Sequence, residues 1–324
     1  MNASASASPS TQATPLDLIC LGEAMIEFNQ DRRHPTRYTA GFGGDSSNCA
    51  IAAARVGAAS GYITQVGEDV FGAQLLSLWH EEHVDTAGVR AVPGAETGLY
   101  FVTHGSQGHA FTYRRAGSAA SRMSPDEAAF APCLQQVARA RTLHVTGVSQ
   151  AISASACDVV LAAIERARSA GSRVAYDLNF RPKLWSVDAA RPVVQRTVAA
   201  CDLFLPSIDE AAMLVGVRTP EEVLQWAHGL GAPTVVLKLG TQGCWVSERG
   251  GVTKLPPYPV SPVDSTGAGD CFAGVLHARM AAGDALVEAA RAANVAAALS
   301  TLGVGAVAPL PRWPQVQAAL AGLT

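Results

Sequence analysis

Residues 263–274 read VDSTGAGDCFAG and open an apolar run in which Phe272, Val275, Leu276 and Met280 recur as one face of a helix. The helix therefore begins near Gly267–Asp270. At a helix start several backbone N–H groups lack an internal partner and point outward, and the macrodipole adds roughly half a positive charge. Gly267, Ala268 and Gly269 carry almost no side chain, so an anion can approach those N–H groups closely; the turn is a candidate phosphate cradle. Asp270 sits where a carboxylate would repel a resting phosphate. Two roles fit it: a cap of the helix, or a general base that takes a proton from a hydroxyl while the cradle holds phosphoryl charge.

Around this turn, short strand-like runs alternate with longer helical ones. LDLICLG (16–22), SGYITQVG (60–67), TLHVTG (142–147), RVAYDLN (173–179), LFLPS (203–207) and TVVLKLG (234–240) read as strands. Helices are expected over 46–57, with Gly57 as the stop, and over 71–84, 154–170, 189–200, 208–215 and 220–230. Such an order predicts an α/β fold: a three-layer, doubly wound, mostly parallel sheet with helices on both faces. Residues 23–42 and 95–116 break the rhythm with short alternating runs (MIEFNQ, RYTAGF, TGLYFVTHG, HAFTYRR) and are expected to form a small β-sheet lid over the carboxyl ends of the main strands. No linker interrupts the chain, so residues 16–324 read as one domain after a tail over 1–15, whose Ala/Ser/Pro/Thr composition cannot build a core.

Composition narrows the function classes. The 324 residues are 48% apolar and 16% charged, with a formal net charge of −3, which gives no electrostatic footprint for nucleic acid. The tail MNASASASPSTQATP has neither the charged start nor the apolar run of a signal peptide. The most apolar stretch, 285–302, contains Glu288 and Arg291 and reads as a packed helix rather than a membrane span. Cys20, Cys49, Cys133, Cys157, Cys201, Cys244 and Cys271 are odd in number and scattered, with no C-x-x-C. They read as buried, reduced thiols of a cytoplasmic protein, not as a disulfide frame or a zinc site.

The full string DSTGAGD at a helix start resembles the signature of the ribokinase-like (PfkB) sugar kinases, and GFGGDSSNCAIAAARVGAASGYITQVGEDVFG (41–72) resembles that family's sugar-side G-G-x-x-x-N stretch. The resemblance runs over residues 16–312. It implies an ATP-dependent kinase that uses Mg²⁺, with Asp270 as the base and Gly267, Ala268 and Gly269 as the anion hole. On the sugar side it implies Gly43 and Gly44 for close backbone approach, and Asp45 and Asn48 for hydroxyls. LPSIDEAAML (205–214) is similar to the family's N-x-x-E element: Glu210 would organise Mg²⁺ through water, and Ser207 stands where Asn is usual. VVLKLGTQG (235–243) resembles the nucleotide-flanking strand and turn, which adds Lys238, Gly240 and Gly243; Thr266 and Asn294 join the nucleotide side. Asp264 is a candidate for placing a monovalent cation such as K⁺, or else a turn cap.

The acceptor is read from three further stretches. GEAMIEF (22–28) has Glu27 where ribose and adenosine kinases of the family commonly have aspartate. ETGLYF with FTYRRAGSAAS (96–101, 111–121), and DLNFRPKLW (177–185), resemble 2-keto-3-deoxygluconate kinases, the last also fructokinases. A keto acid calls for a cation that grips its carboxylate bidentately, which favours Arg. Arg115 is the first candidate. Arg181 is the second, with neutralisation of ATP phosphates as its other role. Tyr100 and Tyr113 would flank the sugar, Tyr113 serving otherwise as lid packing. Arg114 stands where the family often has an aromatic residue. The expected partners are a small sugar or sugar acid and ATP, with no nucleic acid and no membrane; the lid edge offers a surface for a homo-oligomer. A dinucleotide oxidoreductase is excluded because the first strand runs into GEAMIEF and not G-x-G-x-x-G. A non-catalytic sugar sensor is disfavoured by the presence of Asp270, and a neutral-sugar kinase such as fructokinase is the alternative within the family.

Overall fold

The computed structural model describes residues 15–105, 108–248 and 250–323; all but Pro15 of the expected tail lies outside them. The described strands, in chain order, are β1 (Leu16–Leu21), β2 (Met25–Gln30), β3 (Tyr38–Gly43), β4 (Ser60–Gly67), β5 (Asp85–Val92), β6 (Gly98–Gly105), β7 (Gly108–Arg114), β8 (Ala140–Thr146), β9 (Arg173–Asp177), β10 (Leu203–Leu205), β11 (Thr234–Lys238), β12 (Cys244–Glu248) and β13 (Gly251–Leu255). Nine form one sheet in the order β13-β12-β11-β10-β9-β8-β1-β4-β5, and four form a small sheet, β3-β2-β6-β7. From β11 to β5 every neighbouring pair is parallel, while β12 and β13 add an antiparallel edge.

The apolar run of β1 explains its central place. Leu18 and Cys20 enter the core on one face of the sheet, Leu16, Ile19 and Leu21 the core on the other, as a strand covered on both faces requires. On the first face lie helices 45–55, 70–81, 268–281, 286–300 and 313–321; on the second lie 154–170, 187–200, 208–215 and 220–229. Chain order reverses direction across the β1–β8 pair, since β4 and β5 lie on one side of it and β8 to β11 on the other. Open α/β sheets bind ligands at the carboxyl ends of strands beside such a switch point.

Helix 268–281 departs from the one-sided pattern expected of it. All residues from Cys271 to Ala278 are buried, because the helix is sandwiched between helices 45–55 and 286–300. Gly274 permits this: a Cβ there would collide with the Cys49 carbonyl oxygen and lie 2.8 Å from the Ala52 Cβ. Gly274→Ala is therefore expected to cost about 1–3 kcal/mol, the usual penalty of overpacking a tight contact, read as a lower denaturation midpoint with unchanged slope. An unshifted midpoint would show that the two helices can part at no cost. Among the described residues, no helix is long and apolar enough to cross a membrane.

Candidate active site

Four strands of the main sheet lead into chemically capable side chains at their carboxyl ends. Glu23 follows β1, Asp177 ends β9 with Asn179 and Arg181 just beyond, Ser207 and Glu210 follow β10, and Lys238 ends β11. Two helix starts complete the set: Asp45 and Asn48 on helix 45–55, and Asp270 on helix 268–281. The small sheet adds Tyr100 on β6, Tyr113 on β7 and Arg115 after it.

Asp270 and Asn48 meet: the Asn48 amide donates to Asp270 Oδ2 at 2.8 Å. Burial, aided by the nearby charges of Asp45 and Asp177, raises the Asp270 carboxyl to about 8, against the opposing pull of Asn48 and Lys238. Gly267 caps the helix in the left-handed region (φ 76°), where glycine is strongly favoured. A Cβ on Gly269 would lie 3.6 Å from Lys238 Nζ, so a buried ammonium faces the cradle. Lys238 donates to Asp177 Oδ2 at 2.6 Å. Desolvation works against its charge, but Asp177, Glu210 and Asp270 outweigh it and hold its pKa above the ordinary value. Asp177 itself is raised, by burial first.

A second cluster surrounds Arg115. Its guanidinium forms an ion pair with Glu23, the two side chains being 11% and 1% exposed, and Ser118 donates to the other Glu23 oxygen at 2.5 Å. Burial still lifts Glu23 above the usual carboxylate range. The Arg115 guanidinium stands 5.7 Å from the Tyr113 ring centroid. Burial raises the Tyr113 phenol, and the charges of Arg115 and Arg181 both pull it back. Tyr100 donates to Glu27 Oε2 at 2.5 Å, and its ring lies 5.8 Å from that of Tyr113.

Several buried polar atoms among these groups have no partner within the protein: Asp45 Oδ1, Asn48 Oδ1 and Asn179 Oδ1. Buried polar atoms are seldom left so, and these acceptors fit the hydroxyls of a polyol. Asn179 donates to Asp45 Oδ2 at 3.0 Å and adopts φ 34°, a backbone state that costs energy for a residue other than glycine. A cavity of about 980 Å³ opens between Glu27, Asn29 and His104 of the small sheet and Asp264, Thr266 and Gly305, and neither Asp270 nor Arg115 lines it.

Other expected residues have partners of their own. Gly43 is glycine because the Tyr100 ring occupies the space a Cβ would need, and Gly44 because of φ 120° and the Glu23 carbonyl. Ser207 and Glu210 form a capping box: Ser207 Oγ accepts from Glu210 N at 3.3 Å, and Glu210 Oε2 accepts from Ser207 N at 3.2 Å. Glu210 also pairs with Arg181 at 3.4 Å and is raised by burial. Gly240 and Gly243 are left-handed turns (φ 57° and 87°), and a Cβ on Gly243 would collide with the Leu255 carbonyl. Asn294 donates to the Pro256 carbonyl at 2.6 Å. Asp264 accepts from Thr266 N, Thr266 Oγ1 and Gly305 N at 3.0, 2.7 and 2.9 Å. Glu23, Asp177 and Asn179 received no role from the sequence, although GEAMIEF and DLNFRP contain them; a polar residue directly after a buried apolar strand was the available signal.

The chain as a whole is similar to known proteins. The family model described as "pfkB family carbohydrate kinase" matches residues 16–313. A 2-dehydro-3-deoxygluconokinase of Thermoproteus tenax is 35% identical, over 90% of this chain and 89% of its own. Fructokinase-1 of Zea mays is 32% identical, over 85% and 86%. Among solved structures, a fructokinase double mutant from Vibrio cholerae O395, in its fructose-, ADP- and potassium-bound form, is 26% identical and superposes with a TM-score of 0.82, covering 95% of this chain and 100% of that one.

Proposed function

The chain belongs to the pfkB family of carbohydrate kinases, and from that premise we propose that it transfers a phosphoryl group from ATP to the primary hydroxyl of a sugar acid, 2-keto-3-deoxygluconate, giving the 6-phosphate. The observation that carries the choice of acceptor is the pair of cations whose charges act on Tyr113. The Arg115 guanidinium stands 5.7 Å from the ring centroid and the charge of Arg181 pulls the phenol the same way; with acceptors on Asp45, Asn48 and Asn179 left for hydroxyls, this suits a substrate with one carboxylate and several hydroxyls. The identity of 35% to a 2-dehydro-3-deoxygluconokinase supports the same reading. A neutral-sugar kinase is the second reading, favoured by the Zea mays and Vibrio cholerae relatives.

Asp270 removes the proton of the attacking hydroxyl, and the Asn48 amide fixes the orientation of its carboxylate. The N–H groups at Gly267, Ala268 and Gly269 hold the charge of the phosphoryl group, with the Lys238 ammonium alongside. Asp45, Asn48 and Asn179 orient the sugar through the acceptors the protein leaves unpaired. Gly240, Gly243, Thr266, Ser207 and Asn294 line the nucleotide side. Mg²⁺, when bound, would offset the charge of the ATP phosphates, and the buried carboxylate of Glu210 suits holding it through water. Asp264 suits the neighbourhood of K⁺, and the reaction is cytoplasmic. An ADP-release screen over sugars and sugar acids tests the proposal: a clear preference for 2-keto-3-deoxygluconate supports it, and a preference for fructose replaces it with the second reading.

Two further results are expected. Since burial raises the Asp270 carboxyl to about 8, the charged fraction of a base at this position grows with pH and is the major form only above that value. At fixed, saturating Mg-ATP, kcat/KM for the sugar should rise about tenfold per pH unit below 8 and level off above it; a profile flat from pH 6 to 9 rules out Asp270 as a base of raised pKa. Glu210→Gln keeps an acceptor for Ser207 N, so the helix start survives, but it removes a charge near the metal's water shell. The Mg²⁺ concentration for half-maximal rate should rise roughly 10-fold or more, and an unchanged Mg²⁺ titration would leave Glu210 as a helix cap alone.

A further inference from the structure

Below the base, four elements at the switch point bring together side chains that no spacing in the chain connects. His144 of β8 and His277 of helix 268–281 face each other, Nδ1 to Nε2, at 3.1 Å. Cys49 of helix 45–55 joins them, one ligand atom from each residue lying within 4.8 Å of the others, and all three residues are buried. Cys20 of β1 is paired in register with His144, and burial first, with Cys20 beside it, pushes the Cys49 thiol up.

We propose that Cys49, His144 and His277 form a buried site for Zn²⁺, with Cys20 swinging in as its fourth ligand. Two Cys and two His are a common donor set for a closed, structural zinc centre. Two nitrogens bound tetrahedrally at about 2.0–2.1 Å from the metal stand about 3.4 Å apart, so the imidazole pair needs to open by only a few tenths of an ångström. One of the two facing nitrogens donates to the other at 3.1 Å, so on binding that ring moves its proton to its far nitrogen and both facing nitrogens offer lone pairs. Two thiolates cancel the charge of Zn²⁺, which leaves no net charge in the core. On binding, both thiols release their protons, and each imidazole keeps one proton on the nitrogen away from the metal; two protons leave per ion. Cys49 follows Asn48 and His277 lies two helical turns after Asp270, so the ion would staple together the two helices that hold the base.

The native site is closed, so loading is tested by refolding as well as by titration. Protein refolded with one equivalent of Co²⁺ should show the intense visible absorption of tetrahedral cobalt and a thiolate charge-transfer band, both erased by Zn²⁺. Zn²⁺ should raise the melting temperature, release two protons per ion in calorimetry across buffers, and be retained at one ion per chain after desalting. Cys49→Ala and, separately, His277→Gln should each abolish the cobalt spectrum and the retained zinc while still unfolding cooperatively. A wild-type protein whose cobalt spectrum lacks the thiolate band overturns the site, whatever the variants do. So does a full spectrum that persists in both folded variants, because the ion is then held elsewhere. Release of one proton with half the thiolate intensity overturns Cys20 as the fourth ligand.

Discussion

Asp270→Asn is expected to lower turnover by about 10⁴-fold, the upper end of what loss of a general base costs, while the protein remains folded and still binds ATP. The amide keeps an oxygen that accepts from Asn48, now 2.8 Å from Asp270 Oδ2, so the helix contact survives. The fold should in fact gain. The folded protein holds a proton on Asp270 up to about pH 8, whereas an unfolded chain releases it near the ordinary carboxyl value of about 3.9. Between those pH values the folded state binds the extra proton, so the stability due to this group falls as pH rises and is lowest once the buried carboxylate is charged, above about 8. Asparagine carries no such charge. Chemical denaturation at pH 6 and pH 9 should therefore find the variant at least as stable as the wild type, with the advantage larger at pH 9. Lost turnover together with gained stability is the mark of a group kept for chemistry at the expense of the fold. Turnover above a tenth of wild type would sink the assignment, and a variant less stable at pH 9 would mean that Asp270 serves to hold its helix.

The parts legible in the sequence are those whose cause is local. The helix expected over 154–170 has those bounds because Ser153 caps its start and Gly171 ends it at φ 76°. The helix expected over 208–215 is bounded likewise by the Ser207 capping box and by Gly216 at φ 78°. The turn before helix 268–281 was legible for the same reason, since Gly267, left-handed at φ 76°, and the helix start are neighbours in the chain. Edge elements were not. β5 is half-exposed along most of its length and alternates weakly, and the β12–β13 hairpin ends in a strand whose first four residues are exposed, so neither carries the continuous apolar run that marks the central strands. The pairings that build the site were also hidden. Lys238 reaches Asp177 across 61 positions, Asn179 reaches Asp45 across 134, and Asn48 reaches Asp270 across 222. Only the strand order brings these residues to one edge of the sheet, and the same holds for Cys49, His144 and His277, which lie in three separate elements and share no ligand spacing.

On the proposed reading Arg115 holds the carboxylate of the acceptor, and its ion pair with Glu23 dictates which variant can test this. Arg115→Ala would leave the Glu23 carboxyl, 1% exposed, without its cation; breaking a buried pair costs about 3–5 kcal/mol, and the strand end would shift for every substrate alike. Arg115→Lys keeps the positive charge beside Glu23 but loses the planar fork that can serve Glu23 and a substrate carboxylate at once. A hydrogen bond to a charged group is worth about 1.5–3 kcal/mol. At about 1.4 kcal/mol per decade, kcat/KM of the lysine variant for 2-keto-3-deoxygluconate should fall roughly 10- to 150-fold, while any rate on fructose changes little. The quantity to measure is the ratio of the two kcat/KM values, wild type against variant, with the melting temperature as a check that the Glu23 pair survives. A ratio that collapses identifies Arg115 as the group that holds the acid. An unchanged ratio, with both activities lowered together, makes Arg115 a brace between the small sheet and β1. In that case selectivity would have to come from Arg181, the other cation acting on Tyr113, which is more exposed and already engaged with Glu210, and the neutral-sugar reading would gain accordingly.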